Sequence, residues 1–247
     1  MQNFVDKDGW LVCTYFNGGY TEYVKNFVKC LERFDKKWTL CCICIDEVAS
    51  LFCEENNIPY IKFIIENEIN SFCKWGDSDY KKIVFKKLDT MKFVLENPCV
   101  KYCVYIDTDI FVYKDFLPYL KENISQLDAL FQCDEDKGSD KQCYSDRCLN
   151  VCTGLMCLKN CEAIKNMLEY TVGAKKKIEN YSSDQEYINE QKGLINFRSL
   201  PRSMFPNGSF IHQNKIPSSS DSFLLHYNYL VGHLKKEYMK RYNHWLI

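Results

Sequence analysis

Short apolar runs alternate with helical patterns over the first 65 residues of the chain. Residues 9–15, 38–45 and 59–65 are rich in apolar, β-branched and aromatic side chains, which is typical of strands buried on both faces. Residues 20–34, with apolar side chains at helical spacing, and the short stretch 48–56 are predicted helices between these strands. This β-α-β-α-β order predicts a parallel, doubly wound α/β sheet.

A pair of aspartates follows the next apolar run. Residues 102–106 have the composition of a central strand, and Asp107 and Asp109 come directly after it. Because residues i and i+2 of an extended chain point the same way, the two carboxylates can share one divalent cation, and oxygen ligands suit Mg²⁺ or Mn²⁺. Ligands of open α/β sheets bind beyond the carboxyl ends of the strands, so this position suits a metal–diphosphate site. On this motif alone, a turn with solvated carboxylates stays an alternative.

The rest of the chain continues the mixture of strands and helices. Strands are predicted at 129–133, 151–158, 194–200 and 223–228. Helices are predicted at 81–96, from 117, at 161–171, from about Ser183 or Asp184, and at 234–242. The polar, charged composition of residues 134–150 predicts an irregular loop, and residues 213–222 are a candidate lid. Because we find no repeat and no linker, we predict one domain over residues 1–247.

The charge and the hydropathy of the chain exclude several classes of protein. The formal net charge is −1, so no basic field favours nucleic acid as a partner. No apolar run approaches the roughly 18 residues that a membrane span needs. The N-terminus lacks the apolar core of a signal peptide, which favours a cytoplasmic location.

Cysteine is unusually frequent, with fifteen residues. Several lie inside apolar strand candidates, where a thiol behaves as a small hydrophobe, and the missing export signal predicts that they are reduced. The densest group lacks the paired C-x2-C spacing of zinc knuckles, although a structural zinc stays an alternative. Its members are Cys143, Cys148, Cys152, Cys157 and Cys161.

Polar motifs recur in one order along the chain. They are Asp107-Thr108-Asp109, Thr153-Gly154, Asp184-Gln185 with Asn189, and His226-x-Asn228-x3-Gly232-x2-Lys235. This series resembles the GT-A fold glycosyltransferases of the nucleotide-diphospho-sugar transferase type, close to the glycogenin and lipopolysaccharide-galactosyltransferase group. The resemblance covers nearly the whole chain and includes Lys87-Leu88-Asp89. The chain departs from the pattern at Cys152, where the closer relatives have asparagine, and in the looser spacing between His226 and Gly232.

The resemblance implies a fold and a division of labour. The implied GT-A fold is a doubly wound, mostly parallel sheet with a small antiparallel extension and helices on both faces. Its nucleotide-binding half would span about 1–113, and its acceptor and sugar half about 114–247. The implied reaction is transfer from a nucleotide sugar, UDP-sugar by preference, to a glycan, protein or lipid acceptor with retention of configuration.

The resemblance also implies roles for individual residues. Asp107, Asp109 and His226 would hold Mn²⁺, or Mg²⁺, and Lys235 would contact the diphosphate. Asp184 and Gln185 would face the donor sugar and assist catalysis. The residues implied to bind the nucleotide sugar elsewhere are Thr14, Tyr15, Asp46, Lys87, Thr108, Gly154, Asn228 and Gly232. From the residues alone, Tyr15 could equally be core, and a lone histidine such as His226 is usually structural.

Three other functions are alternatives to sugar transfer. A haloacid-dehalogenase-type phosphatase also uses D-x-D, but it carries Thr or Val where this chain has Phe111 and places the motif near the N-terminus. A nucleotidyltransferase would need a basic, glycine-rich loop at Asn17-Gly18-Gly19, which has no neighbouring Arg or Lys of that kind. A catalytically silent binding domain stays open, although the intact aspartates and histidine argue against it.

Overall fold

The computed structural model describes residues 1–64, 69, 71–77, 79–135, 147–170, 180–212 and 220–247. The strands are β1 Trp10–Phe16, β2 Leu40–Cys44, β3 Tyr60–Lys62, β4 Tyr102–Ile106, β5 Ile110–Val112, β6 Ala129–Cys133, β7 Val151–Lys159, β8 Phe197–Leu200 and β9 Leu224–His226. The helices are α1 Thr21–Leu31, α2 Glu47–Glu55, α3 Tyr80–Leu95, α4 Leu117–Asn123, α5 Glu162–Leu168, α6 Asp184–Gln191, α7 Ser209–His212 and α8 His233–Arg241.

The main sheet has seven strands in the order β3-β2-β1-β4-β7-β6-β8. Strands β3, β2, β1 and β4 are parallel to one another, β7 runs antiparallel to β4 and β6, and β8 is parallel to β6. Strands β5 and β9 form a separate antiparallel pair. The prediction of a mostly parallel, doubly wound sheet with a small antiparallel extension is therefore confirmed.

Both faces of the main sheet are covered, as the apolar strand composition predicts. Alternate side chains of β1 enter two different core clusters. Val12 and Phe16 pack with α1, α2, β5 and β9, whereas Leu11 and Cys13 pack with α3, α5 and α6. The period-2 alternation of a strand thus places helices on both sides of the sheet.

The predicted strand 102–106 is confirmed as β4, and the apolar residues after the aspartates form a separate strand. β4 ends at Ile106, Asp107 to Asp109 form a turn, and β5 leaves the main sheet to pair with β9. Elsewhere the predicted elements are found with ends shifted by a few residues, and Ser183 caps α6 by accepting a hydrogen bond from Glu186 N. Of the candidate lid 213–222, residues 213–219 lie outside the described residues.

Most cysteines behave as predicted, with one exception. Cys13, Cys41 and Cys103 are buried free thiols in the sheet core. Cys133 and Cys148 instead form a disulfide with a Cα–Cα distance of 5.9 Å, so the prediction of reduced thiols is wrong for this pair. The sequence spacing of Cys133 and Cys148 does not reveal that Cys148 lies beside Cys133 at the end of β6.

The predicted cysteine group does not assemble as one cluster of metal ligands within the described ranges. Cys143 lies outside those ranges, as do residues 136–146 of the predicted loop. Across the described part of the chain, none of the helices combines the length and the apolar character that a bilayer crossing requires.

Candidate active site

A cleft of about 590 Å³ opens at the carboxyl ends of β1 and β4. Tyr15 and Phe16 line it from the end of β1, and Asp107 to Asp109 line it directly after β4. This is the edge at which open α/β sheets bind their ligands. The structure brings most of the predicted site residues to this cleft.

Asp107, Asp109 and His226 converge at the base of the cleft. The pairing of β5 with β9 sets Ile110 opposite His226, so the imidazole lies beside the aspartate turn. His226 Nε2 lies 3.2 Å from Asp109 Oδ1 and 3.7 Å from Asp107 Oδ2. One oxygen or nitrogen from each residue lies within 4.8 Å of the others, which is a spacing that one cation can bridge.

The polar atoms of this triad are oriented by neighbours outside it. His226 Nδ1 lies 2.7 Å from Gln132 Oε1, and Tyr105 donates its hydroxyl to Asp107 Oδ1. Among the described residues, no hydrogen-bond partner faces the buried His226 Nε2. An unpartnered, buried ring nitrogen aimed at two carboxylates fits a divalent cation that accepts nitrogen and oxygen ligands.

Lys235 fixes the charge of Asp109. Lys235 Nζ lies 2.6 Å from Asp109 Oδ2. Burial alone would raise the pKa of Asp109, but the positive charge of Lys235, the largest of the opposing influences, holds that pKa well below its usual range. Asp109 therefore carries an ionised carboxylate at any physiological pH.

Gly154 allows the triad to close. A Cβ at this position would lie 2.1 Å from His226 Cε1 and 2.7 Å from Asp107 Oδ2, so any side chain would displace a triad member. Its carbonyl accepts a hydrogen bond of 2.7 Å from Asp107 N, which ties β7 to the aspartate turn. The predicted role of Gly154 is consistent with this close approach.

Lys87 lies between two carboxylates of the site. Its Nζ is 3.0 Å from Asp184 Oδ2, 3.6 Å from Asp107 Oδ1 and 3.3 Å from the carbonyl of Thr153. Burial alone would lower the pKa of Lys87, but Asp107 and Asp184 raise it well above the usual range. Lys87 lines the cleft as predicted, but its positive charge is paired with Asp107 and Asp184.

Asp134 is a site residue that the sequence reasoning missed. It accepts hydrogen bonds of 2.7 Å from Gln185 Nε2 and from Asn228 Nδ2. Burial raises its pKa, and these hydrogen bonds offset only part of that effect. Asp134 follows the apolar run of β6 just as Asp107 follows that of β4, and this parallel was the available clue.

Two of the predicted nucleotide-binding residues do not line the cleft. Thr14 is fully buried in β1, because its side chain points to the opposite face of the sheet from that of Tyr15. Asp46 caps α2 by accepting from Ala49 N at 2.7 Å, and it also accepts from Gly18 N at 2.8 Å. Their positions do not support direct contact with a nucleoside.

The other predicted residues reach the cleft. Tyr15 lines it and donates its hydroxyl to the carbonyl of Ile83 at 3.1 Å. Thr108 lies within the aspartate turn, and Gly232, at φ +60°, precedes the helix that carries Lys235. The left-handed backbone at Gly232 favours glycine.

An aromatic wall, defined here as Tyr20, Phe72, Trp75 and Tyr80, was not predicted. These residues line the cleft on the side of Tyr15. Residues 71–77 pack on the turn after β1, where Tyr20 donates to the carbonyl of Cys73 at 2.5 Å. A Cβ at Gly19 would lie 2.1 Å from Phe72 N, so this glycine admits the segment.

Several solved structures similar to this one are glycosyltransferases. One, involved in glycosylation of the major capsid of PBCV-1, has a TM-score of 0.56 at 11% identity over 94% of this chain and 98% of its own. The galactosyltransferase LgtC with donor and acceptor sugar analogues has a TM-score of 0.55 at 11% identity over 87% of this chain and 86% of its own. Mouse xyloside xylosyltransferase 1 has a TM-score of 0.56 at 9% identity over 87% of this chain and 96% of its own. At these identities the likeness concerns the fold.

Family membership rests on a comparison of sequence. Comparison with curated protein sequences finds no match. The model of the family described as nucleotide-diphospho-sugar transferase, in contrast, matches residues 39–239, which include the whole Asp107, Asp109 and His226 triad. The chain therefore belongs to the nucleotide-diphospho-sugar transferase family and is a glycosyltransferase with the GT-A fold.

Proposed function

We propose that this glycosyltransferase uses a UDP-sugar as donor, requires a divalent metal ion and transfers the sugar with retention of configuration. The observation that carries the metal requirement is the convergence of Asp107, Asp109 and His226, with His226 Nε2 buried and free of a hydrogen-bond partner among the described residues. Mn²⁺ is the preferred ion, because imidazole is a softer ligand than Mg²⁺ favours.

Departure of the nucleoside diphosphate requires that its growing negative charge be neutralised. A metal ion held by Asp107, Asp109 and His226 would supply Lewis acidity toward the diphosphate. Lys235, in the first turn of α8, lines the cleft beside Asp109 and adds a positive charge for the same group. The cleft around the proposed diphosphate position is also lined by Thr108, Gly154, Asn228 and Gly232.

The nucleoside has a suitable surface beside β1. Tyr15 and the aromatic wall line that side of the cleft, and planar rings stack on a base without needing a particular hydrogen-bond pattern. Because β1 and β4 are adjacent parallel strands whose ends line one cleft, a donor could lie with its base over β1 and its diphosphate over β4. The preference for uracil over other bases rests on the family resemblance alone.

Asp184, Gln185 and Asp134 face the region where the donor sugar would lie. Lys87 forms an ion pair with Asp184, and the amide of Gln185 donates a hydrogen bond to Asp134. These side chains are therefore fixed before a substrate arrives. Such fixed acceptors can orient sugar hydroxyls and shield the positive charge of an oxocarbenium-like transition state.

Each carboxylate that lines the cleft in the described part of the chain has a partner. Asp107 and Asp109 face the proposed metal, Asp184 pairs with Lys87, and Asp134 accepts from two amides. This arrangement leaves none as an evident covalent nucleophile, which supports attack of the acceptor from the same face as the leaving group. The acceptor is a glycan, a protein or a lipid.

Calorimetry with UDP, with and without Mn²⁺, tests the proposal. We expect metal-dependent UDP binding that Asp109→Ala abolishes, whereas Asp35→Ala, which removes an exposed carboxylate, leaves it intact. Undiminished affinity of Asp109→Ala would overturn the assigned site. A Mn²⁺-dependent hydrolysis screen over nucleotide sugars then identifies the donor and distinguishes an enzyme from a silent binding domain.

A further inference from the structure

The side chain of Gln132 is buried in β6 and can adopt only one amide orientation. Its Nε2 donates to the carbonyls of Phe205 and Pro206, each at 3.1 Å. Both amide protons are thereby used. The flipped orientation would set Oε1 against two carbonyl oxygens and leave buried polar groups without partners, which is costly.

The fixed amide determines how His226 is protonated. Gln132 Oε1 can only accept, and it lies 2.7 Å from His226 Nδ1, so Nδ1 carries the proton. The other neighbour of this nitrogen is Cys152 Sγ, a weak partner at 3.7 Å. In the neutral imidazole, Nε2 then carries the lone pair, directed toward Asp107 and Asp109.

The carboxylates favour the opposite tautomer. A proton on Nε2 would point toward Asp109 Oδ1, which lies only 3.2 Å away. That tautomer would occupy the nitrogen that has to bind the ion. An acceptor opposite Nδ1 is therefore needed to keep Nε2 available. The carbonyl of Pro206 links this acceptor to the histidine, because it accepts from Gln132 Nε2 and also from His226 N, each at 3.1 Å.

We propose that Gln132 is a positioning residue that selects the Nδ1–H tautomer of His226 and so makes the imidazole a metal ligand. The proposal deepens the proposed metal dependence and rests on it for its consequence, but the tautomer itself is a property of the metal-free protein. Sequence reasoning gave Gln132 no role, because it lies within an apolar strand that the helix and strand patterns already explain.

Two measurements on three variants test the proposal. Long-range ¹H–¹⁵N spectra at mildly alkaline pH report which ring nitrogen of each histidine is protonated, and the chain has only four histidines to assign. Paramagnetic resonance of free Mn²⁺ gives the dissociation constant without any nucleotide. The variants are Gln132→Met, which removes the acceptor, Gln132→Glu, which keeps an acceptor but loses both amide donors, and Phe131→Leu, a buried substitution one residue away.

Wild type should show His226 protonated on Nδ1. Gln132→Met should shift the proton to Nε2 and weaken Mn²⁺ binding by about 10- to 100-fold, the usual cost of losing an outer partner of a ligating histidine. Gln132→Glu should keep the Nδ1–H tautomer, although its second oxygen, which faces the carbonyls of Phe205 and Pro206, should lower thermal stability. Phe131→Leu should lower thermal stability without changing either measurement.

An unchanged tautomer and an unchanged Mn²⁺ affinity in Gln132→Met would overturn the role of Gln132. The same holds if Phe131→Leu weakens Mn²⁺ binding as much as Gln132→Met does, because the effect would then follow from lost stability. Failure of wild type to bind Mn²⁺ would instead refute the proposed metal dependence, and the spectra of the metal-free protein would still decide the tautomer.

Discussion

Lys87 Nζ lies 3.0 Å from Asp184 Oδ2, and both side chains are buried. Removing one partner of such a pair leaves an uncompensated charge in the interior, which usually costs about 3–5 kcal/mol. We therefore expect Lys87→Met to lower the free energy of unfolding by that amount in urea denaturation. Lys86→Met is the matched control, because Lys86 is half-buried and pairs with Asp89 at 3.1 Å near the surface. Equal losses in the two variants would contradict the interpretation.

Gly154→Ala should impair the metal site while preserving the fold. The added Cβ would lie 2.1 Å from His226 Cε1, so the imidazole has to move. Displacements of about 1 Å in a catalytic constellation can cost about 100-fold in turnover. We expect that loss in donor hydrolysis, together with weakened Mn²⁺ binding.

Gly193→Ala provides the control for the glycine substitution. A Cβ at Gly193 meets no heavy atom within 4 Å among the described residues, so turnover and Mn²⁺ affinity should remain at wild-type values. Full activity of Gly154→Ala would show that the triad can rearrange around a side chain.

His244 should make stability depend on pH. Burial, assisted by the positive charge of Arg33, lowers the pKa of His244 from 6.5 to about 4. Below pH 6.5 the unfolded chain therefore binds a proton at His244, whereas His244 of the folded protein stays neutral. Stability is full above pH 6.5 and is lost as the pH falls toward 4. The full loss is about 3 kcal/mol.

Denaturation curves at several pH values check this expectation. His244→Asn should flatten the dependence between pH 6.5 and 4, whatever its effect on absolute stability. The exposed His212, replaced by Gln, should leave the slope as in wild type. An identical slope in His244→Asn and wild type would assign the pH dependence to other groups.

The disulfide between Cys133 and Cys148 should stabilise the protein. It spans 15 residues, and closing a loop of that size contributes about 3 kcal/mol in the chain-entropy description. We expect Cys148→Ser to lose about 2–3 kcal/mol in denaturation under non-reducing conditions. The exposed free thiol of Cys99 offers the control, since Cys99→Ser should be neutral. Alkylation of Cys133 and Cys148 in denatured, unreduced protein would disprove the bond.

The order of strands and helices was predictable because the apolar pattern of this chain changes period at each element. The triad was predictable for a different reason. Asp107 and Asp109 are polar residues at the end of an apolar strand, and the family resemblance supplied His226 as their partner. The division into a nucleotide-binding half 1–113 and an acceptor half 114–247 stays a prediction.

The rest of the site depends on contacts that sequence spacing does not encode. Gln132 and Asp134 act through residues 70 or more positions away, such as Phe205 and Asn228. Thr14 lies outside the cleft because adjacent residues of a strand face opposite sides, and Tyr15 takes the position at the cleft. Asp46 caps α2, and a helix cap has the same sequence appearance as a ligand-binding carboxylate. Nucleotide binding by these two residues stays a prediction.

The pairing of β5 with β9 has a consequence for biosynthesis. All seven strands of the main sheet have been translated once residue 200 is reached, but the imidazole arrives only with residue 226. The metal triad therefore joins a turn that follows β4 to a strand outside the main sheet, and β5 has its described pairing partner only once β9 is present. Leu224 and Leu225 of β9 belong to the same core cluster as Val12 and Phe16 of β1, so a chain that ends between these points would lose core packing together with the imidazole.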